Sequence, residues 1–385
     1  MKKIVRSSFL WVHRWLGLVS GLVVFVVSIT GCFYVFEEEL RFTFYSHYLT
    51  VPEQNTFKVP VSQLYEQVQR AYPNETITQI RLRNDPANSA IIAITKSERL
   101  ISVNPYTGQP FAIRDHNDDL LALSEEIHTN LLLGEFGKQV VKWNVLIFFI
   151  ILLSGLWVWW PKQWRFLRAA VTVKWGASFK RVNYDLHSVA GFYALLVLLA
   201  IAWSGLYWTF EPAKQLTYWL TGETMKKKEK LEVQPLPTSI GNSALLDLAT
   251  QQADALGPFR LAFYQFPKDE KAPFRLVLRY PYTWVRSQNV LQLDPYSGKL
   301  LKSELAKDYT AADKIRMSNY DVHTGRMFGL TSKILWCLAS LFSASLPVTG
   351  FLVWWGKRRK NRKKARAAHR NAHQLATPKQ PRVTI

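Results

Sequence analysis

Four of the eight histidines stand at the edges of apolar runs: His13 in HRWLGL, His128 in SEEIHTNLL, His187 in NYDLHSVAGF and His323 in NYDVHTGRMFG. A neutral imidazole is the commonest side-chain metal ligand and also moves protons near neutral pH. An ionisable ring beside hydrocarbon is costly and marks a functional position by default. Two of the four close the same pentapeptide, Asn-Tyr-Asp-X-His. Asn183/Asp185 and Asn319/Asp321 are expected to be helix N-caps, so that the positive end of the dipole disfavours imidazolium and leaves each ring free for metal. The competing chemistry is plain: border histidines also snorkel and hydrogen-bond to headgroups. His47, His116, His369 and His373 have no partners at metal-like spacing and read as solvated. The sequence has no Gly-rich phosphate loop, no H-E-x-x-H and no G-x-S-x-G elbow. Asp118-Asp119 and Glu125-Glu126 read as a solvated connection, and Tyr280, Tyr282 and Trp284 as an aromatic cluster used for packing.

The elements that must position these rings are apolar. Residues 15–36, 143–160, 188–210 and 334–355 contain no Asp, Glu, Lys or Arg. Each is near the ~20 residues a helix needs to cross ~30 Å of hydrocarbon. Nearly all of the formal +21 charge lies before the first run, between the second and third, and after the fourth. The positive-inside rule makes those three pieces cytoplasmic. The expected protein is therefore multi-pass in a membrane, with both termini inside. The basic tail meets anionic membrane lipid. Nucleic acid is excluded as a partner, because no basic face with interleaved aromatics accompanies the charge. Tryptophans gather at the ends of the runs, as an interfacial belt requires. Cys32 and Cys337 are the only cysteines, both within apolar runs, which excludes a Cys-X-X-Cys-His haem attachment and predicts no disulfide. The ITGC at 29–32 resembles a lipoprotein cleavage site, but the later half repeats this helix without its cysteine.

That repeat runs through the chain. Setting His13 against His187 brings Gly31 to Gly205 and Glu37 to Glu211. Setting His128 against His323 brings Gly155 to Gly350 and Trp159-Trp160 to Trp354-Trp355. Between them lie matched turns, NPYTG at 104–108 and DPYSG at 294–298. Fixed offsets of this kind predict an internal duplication. The expected fold is an integral membrane α-helical protein with four transmembrane helices and two extracytoplasmic α+β domains. Its segments are helix 1 (9–36), outer domain 1 (37–127), helix 2 with its lead-in (128–160), a basic inner loop (161–186), helix 3 (187–210), outer domain 2 (211–322), helix 4 with its lead-in (323–356) and a basic tail (357–385). Helical spacing at 61–72 and 244–256, each followed by alternating strand-like runs, predicts a helix and a small antiparallel sheet in each outer domain.

The HRWLGL opening, the paired D/N-P-Y-[ST]-G turns, the helix-plus-meander modules and the WW-[PG]-K helix ends resemble the PepSY-associated transmembrane family, over nearly the whole chain up to about Lys357. That family includes inner-membrane proteins of iron acquisition, among them siderophore reductases that carry two b-type haems. The topology pairs His13 with His187 at the inner face and His128 with His323 at the outer face. Each pair suits one six-coordinate haem with an imidazole on either side. The resemblance thus implies two haem b, four axial histidines, Arg14 and Arg326 as partners of propionates, and a ferric siderophore as the outer substrate. Met327 is an alternative axial ligand. His128 and His323 stand clear of the hydrocarbon unless the helices behind them break at Gly134/Gly137 and Gly325/Gly329. No flavin or nicotinamide motif is present, so the inner electron donor is a quinol or a separate reductase. A second class stays open: a non-enzymatic regulator whose outer modules bind or inhibit a periplasmic protease or sensor.

Overall fold

The computed structural model describes residues 2–84, 89–225, 231–282 and 286–376. The first half contains α1 (Lys2–Tyr34), α2 (Glu37–Phe44), α3 (Ser46–Leu49), α4 (Val61–Ala71), β1 (Ile77–Arg83), β2 (Ile91–Thr95), β3 (Arg99–Val103), β4 (Pro110–Asp115), α5 (Leu120–Asn130) and α6 (Gly134–Trp159). A link containing α7 (Leu167–Ala170) leads to the second half. There follow α8 (Phe179–Thr209), α9 (Glu211–Leu220), α10 (Asn242–Ala255), β5 (Leu261–Gln265), β6 (Phe274–Arg279), β7 (Gln288–Leu293) and β8 (Leu300–Glu304). The chain closes with α11 (Ala311–Thr324) and α12 (Gly329–Ala376). Contacts divide it into two compact units, one of residues 1–32, 128–203 and 336–385, the other of 33–127 and 204–335.

The first unit is helical. Four helices of the chain (α1, α6, α8 and α12) are long and apolar enough to cross a membrane. The contacts of α1 run through small or polar residues, as is common between lipid-embedded helices, because apolar surface alone gives no preference for protein over lipid, whereas α6 and α8 also pack through larger apolar side chains. α1 meets α12 where Ser28 donates to Ser343 at 2.8 Å. It also meets α12 where Gly21 faces Pro347 so closely that an added Cβ would lie 3.1 Å from the ring. α6 meets α8 through Leu152, Ala194, Leu198 and Ala202, all buried, and through Trp159 stacked on Phe192 at 3.8 Å. Arg6 caps the α1–α6 contact by donating to the Val158 carbonyl.

The second unit holds one antiparallel sheet of eight strands in the order β4-β3-β2-β1-β5-β6-β7-β8. Each outer segment supplies a four-stranded meander, and the two join at β1 and β5. The seam pairs Gln79 with Gln265, Ile80 with Tyr264 and Arg81 with Phe263. When the strands are matched from their first residues, Ile77 and Leu261, this register is symmetric about the Ile80–Tyr264 pair. The helices α4 and α10 pack with one face of the sheet. Their inward residues Leu64, Val68, Leu245, Leu246 and Ala249 are buried in one core with Ile80, Tyr264, Phe274 and Leu276. The two sequence-matched turns are also matched in geometry. Asn104 and Asp294 each accept from the amide two residues on, at 2.9 Å. Gly108 and Gly298 take φ of 77° and 73°, which a side chain resists. The edge strands β4 and β8 lack an unbroken buried face, which is why their alternation gave little signal in the sequence.

On the other sheet face, Glu38 of α2 ties the seam. One carboxylate oxygen accepts from Arg83 at 2.7 Å and from Arg260 at 2.9 Å, one arginine from each side. Burial pushes the Glu38 carboxyl up, but the Arg83 hydrogen bond and the nearby arginines outweigh this and hold it below its ordinary 4.5. A depressed carboxyl stabilises the fold above the unfolded pKa and loses that contribution as pH falls through the folded one. Thermal unfolding should therefore come at lower temperature as pH drops below about 4.5. Glu38→Gln should flatten this acid dependence and cost about 1–3 kcal/mol at neutral pH, measured by denaturant or thermal unfolding of the purified chain.

Candidate functional site

Within the helical unit the rings of His13 on α1 and His187 on α8 face each other, with centres 6.3 Å apart and planes at 79°. Their outward nitrogens are engaged. His13 Nδ1 lies 3.1 Å from the Ile151 carbonyl and 3.2 Å from Ser154 Oγ on α6. His187 Nδ1 lies 2.9 Å from Thr349 Oγ1 on α12 and also meets the Leu346 carbonyl. A carbonyl can only accept, and both hydroxyls donate back into their own helices. Nδ1 therefore carries the proton in each ring, and Nε2 keeps its lone pair.

The other two histidines are docked the same way. His128 Nδ1 is 3.2 Å from Thr30 Oγ1 on α1 and bonds the Val27 carbonyl. His323 Nδ1, in the second unit, is 2.8 Å from Ser204 Oγ. So each ring meets a hydroxyl on the other long helix of its own half, and each hydroxyl residue is followed by glycine: Thr30-Gly31, Ser154-Gly155, Ser204-Gly205, Thr349-Gly350. The glycine makes room for the ring edge. A Cβ on Gly31 would stand 2.9 Å from His128 Cε1, on Gly155 3.1 Å from His13 Cε1, and on Gly350 3.2 Å from His187 Cε1. The offsets of Gly31/Gly205 and Gly155/Gly350 were legible in the sequence, but their role as ring seats was not. The signal that could have revealed it is the hydroxyl that precedes each one.

The repeated pentapeptide does something other than cap a helix. α8 begins at Phe179 and α11 runs from Ala311 to Thr324, so Asn183, Asp185, Asn319 and Asp321 are all inside helices. The N-cap expectation is overturned, because Ser178 and Thr310 precede the first turns instead. One helical turn separates Asn from His on a single face. That face clamps one residue of the partner helix from two sides. Asn183 donates to the Thr349 carbonyl at 3.0 Å while His187 meets its hydroxyl. Asn319 donates to the Ser204 carbonyl at 3.1 Å while His323 meets its hydroxyl. Asp185 accepts from Arg181 and Asp321 holds Arg286 bidentately, so neither faces a ring.

The chain does break behind His128 and His323. α5 ends at Asn130, and Leu131, Leu132 and Gly134 take φ of 57°, 59° and 56° before α6 continues. A Cβ on Gly137 would collide with the Asn130 carbonyl of this fold-back. In the second half, Gly325 and Gly329 at φ of 69° and 64° flank a short 3-10 turn, Arg326–Phe328, between α11 and α12. His128 lies outside the membrane-crossing helices, and burial, against a weaker pull from the Val27 carbonyl, lowers its pKa. Burial thus favours the uncharged ring.

Of the remaining sequence candidates, Arg14 is exposed with its guanidinium 5.8 Å from the Trp15 ring. Arg326 donates to Glu37 at 2.9 Å. Met327 sits half-buried in the 3-10 turn. His47 and His116 are exposed, and the side chains of His369 and His373 lie outside the described residues. Tyr280 is tied into its own domain by Asn289 and the Leu256 carbonyl; Trp284 lies outside the described residues. Cys32 and Cys337 are free thiols that hydrogen-bond to each other, a meeting unforeseen in the sequence.

A family model described as PepSY-associated TM region matches residues 10–357. The chain belongs to this family. It is a membrane protein, with four spanning helices and an antiparallel sheet domain. A search of curated proteins finds no match.

If the glycine seats hold the rings, Gly31→Ala should displace His128, whereas Gly17→Ala, where an added Cβ meets nothing within 4 Å, should be silent. Imidazole resonances in NMR of selectively labelled protein should shift for His128 alone, and the thermal midpoint should drop by about 2–4 °C.

Proposed function

We propose that this family member is an inner-membrane di-haem b electron-transfer protein that reduces an extracytoplasmic ferric siderophore, Fe(III) to Fe(II), so that iron is released. The observation that carries the proposal is the His13–His187 pair. Metal–imidazole bonds of about 2 Å put the centres of two axial rings about 6 Å apart. These rings stand at 6.3 Å, each with Nδ1 spoken for. Among the described residues no three His, Cys, Asp or Glu side chains gather as a metal cage. Two imidazoles alone suit an iron whose other four ligands come with a macrocycle. His128 and His323, docked in the same manner, are proposed for the second haem. Arg14 and Arg326 are proposed to face propionates.

Bound haem supplies one-electron redox chemistry. The chain's own contribution is to fix ring orientation through the hydroxyl–glycine seats and to exclude water with apolar helices. The matched seats and clamps in both halves support an internal duplication, with two PepSY-like modules sharing one sheet. The cation-rich N-terminus, α7 link and tail support a cytoplasmic placement of those pieces and, with it, a periplasmic sheet domain.

Protein expressed with ample haem should give a dithionite-reduced b-type difference spectrum with two haems per chain. His187→Ala and His323→Ala should each lose one of them. A colourless wild-type protein would end this proposal. Full function in a variant lacking all four histidines, with loss on altering the outer sheet, would favour the regulator instead.

A further inference from the structure

The sheet domain contains a guanidinium that has not been given a counter-ion. Arg279 ends β6, beside Gln288 of β7 and Leu261 of β5. Its guanidinium lies over the Phe263 ring at 4.7 Å. Its Nε is buried without a hydrogen-bond partner, and so is the Nε of Arg326. Among the described residues Arg279 makes no ion pair. Burial, then the charge of Arg286, pulls its pKa down to about 10; Arg326 adds to this, against Asp321 and Tyr320.

The carboxylates nearby are committed elsewhere. Asp321 holds Arg286 at 2.7 and 2.9 Å, and Glu37 holds Arg326 at 2.9 Å. Arg286 and Arg326 both approach the Tyr320 ring, at 4.9 and 5.2 Å. Glu37 also holds Arg41 at 2.8 Å and Glu38 is taken by Arg83 and Arg260, so among the described residues no nearby carboxylate is paired with Arg279. An unpaired buried charge is among the costliest things a fold can retain, and a native protein that retains one needs a reason. The flat guanidinium fork matches a carboxylate, and the aromatic faces of Phe263 and Tyr320 suit an organic molecule behind it.

We propose that Arg279 and Arg326 form a binding site for the carboxylate of an organic ligand, with Arg286 and Tyr320 as its wall. Two sources carry that group: a propionate of a haem resident in the protein, which rests on the function proposed above, or a free carboxylate ligand of the outer domain, which does not. Either way one negative charge completes the cluster.

The test is thermal unfolding of the full detergent-solubilised chain, prepared without haem, in citrate and in chloride at equal ionic strength. Citrate is expected to raise the wild-type midpoint by about 3 °C over chloride, and Arg279→Gln is expected to lose that increment. If Arg279→Gln does not fold, Arg279→Lys, which keeps the charge without the fork, should show less than half of it. An equal increment in wild type and variant, or none in wild type, overturns the site. Repeating the comparison with haem-loaded protein separates the sources: loss of the citrate increment assigns the site to a propionate, and its persistence assigns it to a free ligand. A chain that takes up no haem yet keeps an Arg279-dependent increment sinks the redox proposal and leaves this one standing.

Discussion

The Nδ1 of each histidine, held against a helix hydroxyl, is the constraint on which the rest depends. An imidazole in hydrocarbon cannot be left to find its own tautomer. Without the hydroxyl and the carbonyl beside it, the ring would bond a backbone oxygen through whichever nitrogen came nearest. Seating the ring takes a helix neighbour without a side chain at one position and with a hydroxyl at the position before. That requirement dictates the approach of α1 to α6 and of α8 to α12 and the positions of Gly31, Gly155 and Gly350. It also explains why the ring seats are built from Ser, Thr and Gly, while side chains such as Leu22, Leu196 and Phe351 point outward.

Much of this was legible in the residues. The charge-free runs located the four long helices, since no periodic pattern in a soluble core stays free of charge for so long. The helices α4 and α10 and the strands β1 and β5 lie where the apolar spacing placed them, within a residue or two. The Asn-Tyr-Asp-X-His repeat was visible too, but its meaning was not. In sequence an Asn or Asp at the edge of an apolar run looks like a cap. What decides otherwise is that α8 starts in a basic stretch, KRVNYD, which has no apolar signal yet extends the helix ahead of the membrane. Propensity alone does not distinguish an aspartate inside a helix from a capping one. The partner of Asn183, a carbonyl on α12, is separated from it by most of the second half and leaves no local trace.

The fold-backs at Leu131-Leu132 and at Gly325–Gly329 solve one problem with two chemistries. Glycine adopts left-handed φ freely, whereas leucine there costs about 1–2 kcal/mol per residue. The first half tolerates that cost where the second half avoids it. Residues held in sparsely populated backbone conformations persist when their surroundings over-determine them, and here they directly follow His128. The lead-ins were expected to break at glycines, which holds at Gly134, Gly325 and Gly329. The leucines carried no warning, because nothing about their side chains announces a positive φ.

The antiparallel seam has a consequence of its own. Because β1 and β5 pair symmetrically about Ile80 and Tyr264, either half severed from the other would present a naked, hydrogen-bond-hungry border along its innermost strand. The neatest cover for such a border is a twin of the same half, rotated by half a turn. The geometry of the seam is thus that of a two-fold partnership between like halves.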